Sequence, residues 1–218
     1  MQPVVPTNPP MIKQNLKDIY FIANQWLVLP NTWYSKMRMR SRQGLLLHLG
    51  CGDDYLEGMI NVDGNIRRKK EFWLDLRNRL PFREGSASLV FCSHTLEHLY
   101  PDEALALLEE IRRVLADDGV ARIAVPSFEM CLQIIAGRVR KEWPRKFADA
   151  ESQALNYLFC DGQHKYGYCA ATLRAFAEEA GFGRIENYSE LNGSAEKVYH
   201  GVVLGNEPPG SLIFELYP

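Results

Sequence analysis

Hydrophobic residues occur in short runs along the first half of the chain, and each run ends at a glycine, a proline or a polar turn. The runs are Leu45–Leu49, Met59–Val62, Ser88–Phe91 and Val120–Val125. Nearly continuous apolar runs of this length are typical of strands that are buried on both faces of a parallel sheet. The pattern therefore predicts four core strands, with Gly50 and Asp63 directly at the ends of the first two.

A helical pattern separates the last two of these runs. Pro101 fixes the backbone for a first helical turn, and Ala104, Leu108 and Ile111 recur at helical spacing after it. We expect this helix to end at Asp117-Asp118-Gly119, where the glycine suits a left-handed cap. Strands that alternate with helices predict an α/β fold, in which a mostly parallel sheet is covered on both faces.

Residues 127–168 follow the last of these strands and contain two helical patterns with basic residues between them. Ligands bind at the carboxyl ends of such strands, so this stretch is either a lid-like insertion or an ordinary surface helix pair. Arg184 to Tyr188 and Leu212 to Leu216 are predicted to be the last two strands. The domain predicted from these elements spans residues 44–218.

Residues 1–43 form a separate N-terminal extension in this scheme. Its first ten residues contain four prolines and are expected to be disordered or extended. Residues 11–29 have the spacing of one amphipathic helix that ends at Pro30. That helix could pack on the core, cap a ligand site or pair two copies of the chain in a homodimer. The basic residues from Lys36 to Arg42 are read as a linker.

The composition argues against several classes of protein. The 218 residues carry a net charge of −2, so no overall field favours a polyanionic partner, and nucleic acid is an unfavoured one. The five cysteines lack C-x-x-C spacing, which argues against a disulfide framework and a zinc ribbon. Neither a signal peptide nor a membrane span is visible in the sequence. We therefore expect a cytoplasmic protein.

The stretch from Leu45 to Gly64 has the plan of a nucleotide-binding half-sheet. Gly50 and Gly52 would let the backbone approach a ligand, and Asp63 could accept hydrogen bonds from a ribose diol. Asp63 lies eleven residues after Gly52, whereas a dinucleotide fingerprint has about 20 residues before its acid. The sixth position of G-x-G-x-x-G is Tyr55, which also argues against a nicotinamide dehydrogenase.

Five ordered motifs carry a family resemblance. The segments LHLGCG, NVDG, LDLRNRLPF, SASLVFCSHTLEHL and LLEEIRRVLADDGVARIAVP, with a late H-K-x-x-Y, resemble class I S-adenosylmethionine (SAM)-dependent methyltransferases of the small type 11-like group. The resemblance implies a Rossmann-like, seven-stranded, mostly parallel sheet with a reversed final hairpin. It also implies SAM as the cofactor, S-adenosylhomocysteine as its product and in-line methyl transfer.

The resemblance also implies roles for individual residues. Gly50, Cys51 and Gly52 would pass under the methionine and ribose of SAM, and Asp63, with Gly64 beside it, would hold the ribose hydroxyls. Asp75 would accept from the adenine amino group with Leu76 alongside, and Ser93 would line the methionine side. His48 stands where the family commonly has an acid that contacts the cofactor's amino group. The cofactor-binding set is therefore His48, Gly50, Cys51, Gly52, Asp63, Gly64, Asp75, Leu76 and Ser93.

Several of these residues also have structural interpretations. His48 could be a hydrogen-bonded core histidine, and Asp75 could cap its own loop. His94-Thr95-Leu96-Glu97-His98 spells the inverted zinc-protease motif, but zinc binding there needs both histidines on one formed helix. The predicted helix starts only at Pro101, so no metal is expected.

The proposed chemistry needs little acid–base help, because orientation can supply roughly 7–11 kcal/mol and a general base roughly 3–5 kcal/mol. If a catalytic base exists, His94 is the first candidate and His164 the second. A small molecule or glycan precursor is the expected methyl acceptor. An RNA or other nucleic-acid methyltransferase and a non-catalytic SAM-binding module remain the alternatives.

Overall fold

The computed structural model describes residues 30, 33–39, 41–65, 67–138, 149–188, 197–204, 207 and 210–218. Its strands are β1 (Leu45–Leu49), β2 (Ile60–Asp63), β3 (Phe72–Trp73), β4 (Ala87–Ser93), β5 (Leu115–Pro126), β6 (Arg184–Asn187), β7 (Lys197–Tyr199), β8 (Val202–Leu204) and β9 (Ser211–Tyr217). Its α-helices are α1 (Pro101–Val114), α2 (Phe128–Ile135), α3 (Ala150–Phe159) and α4 (Ala170–Glu179). The described residues also include two 3₁₀ turns, Leu96–His98 and Cys160–Gly162, and a helical segment at 33–39.

Seven of the strands form one sheet in the order β3-β2-β1-β4-β5-β9-β6. Strands β1 to β5 pair in parallel, whereas β9 runs antiparallel to both β5 and β6. This arrangement confirms the predicted Rossmann-like, mostly parallel sheet with a reversed final strand. The chain order reverses between β1 and β4, and the carboxyl ends of strands at such a switch point form the usual ligand crevice.

The main core lies between this sheet and helices α1 and α4. Helix α1 buries one face through Ala104, Leu108 and Ile111. Its first turn contains Asp102 and Glu103, and the Glu103 carboxylate accepts a hydrogen bond from the Tyr100 backbone N–H at 3.0 Å. Negative charges at the N-terminus of a helix interact favourably with its dipole. The helix starts at Pro101, as predicted.

The end of α1 differs from the prediction. The helix stops at Val114, and the segment through Gly119 belongs to β5. Gly119 is not in the left-handed region; instead, a Cβ at this position would lie 2.8 Å from the Ala87 carbonyl oxygen. The glycine is therefore needed for close approach of β5 to β4, a role that sequence spacing did not reveal.

Two further features were also predicted differently. The connection between β6 and β9 contains the antiparallel pair β7–β8, for which no strands were predicted. Residues 33–39 are helical, so Lys36 and Arg38 lie on a helix rather than in a basic linker. The predicted helix at 11–29 lies outside the described residues. Within the described part of the chain, no helix is long and apolar enough to cross a membrane.

A buried ionic cluster lies on the β7–β8 side of the sheet. Arg122 is fully buried, and its guanidinium donates to Glu207, with an N–O distance of 2.5 Å, and to Glu215 at 3.1 Å. The Tyr217 hydroxyl donates to the same Glu215 carboxylate at 2.6 Å. These contacts tie β5 to β9 and to the segment between β8 and β9 through paired charges inside the protein.

Candidate active site

The glycine turn after β1 has a conformation that only glycine adopts easily. Gly50 has φ of +69°, and its backbone N–H donates to the Val62 carbonyl at 2.8 Å. A Cβ at Gly50 would lie 2.1 Å from the Thr95 hydroxyl oxygen, far inside van der Waals contact. The turn is therefore pressed against the segment that follows β4, and the missing side chain is what allows this contact.

Gly52 faces open space instead. It has φ of +52°, and a Cβ built there would meet nothing within 4 Å among the described residues. Its backbone N–H donates to Asp63 Oδ2 at 2.9 Å, while Asp63 Oδ1 accepts from the Asn65 N–H at 2.6 Å. A carboxylate has about four lone-pair sites, so Asp63 can hold the turn and still accept two ligand hydroxyls. The structure thus places the glycine turn next to Asp63, as predicted.

Three other predicted cofactor residues flank this turn. Cys51 is buried, and burial raises the pKa of its thiol to about 11, so it is neutral at pH 7. The Gly64 carbonyl accepts a hydrogen bond from the Trp73 indole N–H at 2.9 Å. Ser93 ends β4 beside β1 and is partly exposed. All three occupy the carboxyl edge of the sheet, where a ligand would lie.

Asp75 lies on the next loop along the same edge, but its carboxylate is already engaged. It accepts from the Arg77 backbone N–H at 3.0 Å and pairs with the Arg77 guanidinium at 2.6 Å. Leu76 next to it is buried in the main core. The structure thus supports the loop-capping interpretation of Asp75, and the adenine role would require the carboxylate to be shared with Arg77.

His48 is buried and hydrogen-bonded inside the protein. Only 2% of the residue is exposed, its Nδ1–H donates to Asn61 Oδ1 at 3.0 Å, and its ring lies 5.0 Å from that of Phe91. Burial lowers the pKa of the His48 imidazole, which favours the neutral form. These contacts are those of a hydrogen-bonded core histidine, so we leave His48 out of the cofactor site.

His94 sits directly after β4 in a strained conformation, with φ of +50°. Its Nε2 lies 2.8 Å from the Ser211 hydroxyl, and its Nδ1 lies 3.3 Å from Glu97 Oε1. The side chain is 22% exposed, and its ring packs against the edge of Tyr157. Positive φ in a residue other than glycine marks strain that is often stored at functional sites.

The second catalytic candidate, His164, is more deeply buried. Its Nδ1–H donates to the Leu158 carbonyl at 2.6 Å, and its Nε2 lies 3.9 Å from Glu97 Oε1. Burial lowers the pKa of the His164 imidazole. Both predicted histidines therefore converge on one carboxylate, that of Glu97.

The late motif is anchored to the same glutamate. The backbone N–H groups of Lys165 and Tyr166 donate to the Glu97 carbonyl at 2.7 and 3.3 Å. The segment beside them borders a cavity of about 420 Å³ that is lined by Phe128, Leu158, Phe159, His164, Lys165, Tyr166, Gly167, Cys169 and Thr172. The predicted insertion 127–168 thus supplies most walls of a mainly apolar cavity on the carboxyl side of the sheet.

Comparison with known proteins agrees with this geometry. Residues 47–123 match the family model described as a methyltransferase domain. This segment is similar to a methyltransferase domain. The matched range includes Gly50, Gly52, Asp63 and His94, so the motif resemblance to class I methyltransferases is confirmed. A comparison with curated proteins found no match.

Solved structures extend the similarity of fold beyond the matched methyltransferase domain. A SAM-dependent methyltransferase from Archaeoglobus fulgidus is 18% identical, with a TM-score of 0.52, over 91% of this chain and 100% of that one. A second from Thermotoga maritima, described as a possible histamine N-methyltransferase, is 14% identical, with a TM-score of 0.53, over 92% and 96% of the two chains. At these identities the comparison shows a shared fold.

Proposed function

We propose that this protein is a SAM-dependent methyltransferase whose acceptor is a small molecule or a glycan precursor. The observation that carries the proposal is the Gly50–Gly52 turn, which is held by Asp63 at the switch point between β1 and β4. The open space at Gly52 fits a cofactor lying across the turn. The methyltransferase domain at residues 47–123 supports the same conclusion.

Each group at this edge has a role that its contacts support. The Gly50–Gly52 turn would support the methionine and ribose portions, and Asp63 would accept from the ribose hydroxyls. When bound, SAM supplies a methyl group already activated by the sulfonium. The chain itself then has to orient the acceptor and exclude water, and orientation alone can supply roughly 7–11 kcal/mol.

The cavity beside the late motif is the proposed acceptor site. Its volume of about 420 Å³ suits a small molecule or the head of a larger one. Its walls are mainly apolar and aromatic, with Lys165 as the charged residue among the described lining residues. An acceptor with an aromatic or aliphatic body fits this lining better than a nucleic-acid backbone does.

Calorimetry with SAM and S-adenosylhomocysteine tests the cofactor proposal. We expect micromolar binding by the intact chain. The Asp63→Ala variant should bind about 10–100-fold more weakly, because hydrogen bonds to a charged group contribute about 1.5–3 kcal/mol. Asp102→Ala, which removes an exposed carboxylate from α1, is the matched control and should bind like the wild type. Absence of binding by the wild type would contradict the proposal.

His94 is the proposed acceptor-side catalytic residue, since it is the more exposed of the two candidate histidines and a hydrogen bond to the Ser211 hydroxyl orients its ring. We expect His94→Ala to lower the rate of methyl transfer by about 10²-fold or more while SAM affinity stays within about threefold. Transfer of radiolabelled methyl to a panel of phenols, carboxylic acids and amines measures this rate. His200→Ala, at an exposed position, is the control. Equal rates for the two variants would remove His94 from catalysis.

A further inference from the structure

Three metal-ligating side chains from two distant segments meet beside the proposed acceptor cavity. Glu97 and His98 belong to the 3₁₀ turn after β4, and His164 belongs to the late motif. One ligand atom from each lies within 4.8 Å of the other two. No step of the proposed methyl transfer requires this arrangement.

Among the described residues, the buried carboxylate of Glu97 has no hydrogen-bond donor. The residue is 1% exposed, and neither carboxylate oxygen accepts a hydrogen bond from any residue that the structure describes. His94 Nδ1 and His164 Nε2 approach Oε1 at 3.3 and 3.9 Å without hydrogen-bond geometry. Burying an unpaired carboxylate is costly, and coordination of a metal ion is one of the ways in which proteins offset this cost.

The two histidines are oriented as metal ligands usually are. His164 Nδ1–H donates to the Leu158 carbonyl at 2.6 Å, and His98 Nδ1–H donates to the Gln163 carbonyl at 3.3 Å. Each bond leaves Nε2 as the nitrogen with a free lone pair. A ligating histidine almost always donates its other ring N–H to a carbonyl or carboxylate, which fixes the ring and its tautomer.

We propose that Glu97, His98 and His164 bind a divalent transition-metal ion, with Zn²⁺ the best match. Two imidazoles and one carboxylate form a His₂Glu set that leaves a fourth position of a tetrahedral site open. Imidazole ligands favour zinc over magnesium or calcium. The set differs from the inverted zinc-protease motif, because His94 is bonded to Ser211 rather than paired with His98. This proposal replaces the sequence-based expectation of no metal.

A metal ion at this position would fasten the late motif to the carboxyl edge of the sheet. Among the described residues, backbone hydrogen bonds to Glu97, the His98–Gln163 hydrogen bond and the contact between the His98 and His164 rings join the late motif to the 3₁₀ turn. Coordination would add a strong link between the two segments. We therefore expect the metal-bound chain to melt at a higher temperature than the metal-free chain.

Titration of the chelator-stripped, full-length protein with Zn²⁺ against a competing indicator tests the site. We expect one ion per chain, and at least about tenfold weaker binding in each of His98→Ala, His164→Ala and Glu97→Gln. His200→Ala should bind like the wild type. His98 is exposed, so its variant tests the site without removing core packing. Absence of zinc binding, or binding unchanged by both ligand histidine variants, would overturn the proposal.

Cobalt(II) distinguishes this site from the five cysteines of the chain. A His₂Glu site should give visible d–d absorption without the near-ultraviolet charge-transfer band of thiolate ligation, and a thiolate band would overturn the assignment. The titration is made without SAM. Failure of the metal site therefore leaves the SAM-binding result unchanged, and absence of SAM binding leaves the metal titration interpretable.

Discussion

Replacing Gly50 with alanine is expected to lower the free energy of unfolding by about 2–5 kcal/mol and to weaken SAM binding by tenfold or more. A left-handed conformation costs a residue with a Cβ roughly 1–2 kcal/mol, and forcing atoms into a packed site costs roughly 1–3 kcal/mol. Both apply here, because φ is +69° and the new Cβ would lie 2.1 Å from the Thr95 hydroxyl oxygen. Urea unfolding and calorimetry with SAM measure the two effects.

Two variants separate the causes of this loss. Gly52→Ala has a similar φ of +52° but no described atom within 4 Å of the new Cβ, so it should lose only the backbone contribution, about 1–2 kcal/mol. Adding Thr95→Gly to Gly50→Ala removes the colliding side chain and should recover part of the lost stability. If Gly50→Ala is no less stable than Gly52→Ala, contact with Thr95 does not explain why the chain has glycine at position 50.

Replacing Arg122 with methionine is expected to lower the free energy of unfolding by about 3–5 kcal/mol. Removing one partner of a buried ion pair leaves an uncompensated charge in a medium that solvates it poorly. In this chain the change would leave two buried carboxylates, Glu207 and Glu215, without their shared cation. Chemical denaturation followed by tryptophan fluorescence measures the loss.

A matched substitution on β6, which is separated from β5 by β9, provides the control. Arg184 also pairs with a glutamate, Glu186, at 3.0 Å, but its side chain is 61% exposed. Exposed pairs contribute about 0–1 kcal/mol, so Arg184→Met should cost little. Combining Arg122→Met with Glu207→Gln and Glu215→Gln should restore much of the stability, because the two buried carboxylate charges are then removed together with the arginine charge. Equal losses for Arg122→Met and Arg184→Met would refute this account.

The core of the fold could be predicted because its signals are local. The apolar runs that became β1, β2, β4 and β5 are short and nearly continuous, as expected for buried parallel strands. The glycine turn and Asp63 follow directly from the ends of two such strands. The end of α1 could not be predicted, because Gly119 allows close contact with β4 and does not cap the helix.

His48 shows the limit of reading a residue from its position in a motif. The resemblance placed it where an acid often contacts the cofactor, whereas the structure gives it a buried partner in Asn61. In a strand that is buried on both faces, polar and apolar residues do not alternate. The sequence of such a strand therefore does not indicate which face of the sheet a given side chain occupies. Only the pairing of β1 with β2 and β4 shows which face His48 occupies.

The sequence alone determined the core strands, the glycine turn and the acid at the end of β2, since each depends on residues close together in the chain. The tertiary structure decided what surrounds Glu97. His94 meets Ser211 across 117 positions because β9 runs antiparallel to β5, which brings its first residue to the carboxyl edge of the sheet. Such contacts depend on strand order and helix packing, which no local pattern records, and they bring the histidines of two segments together on one buried carboxylate.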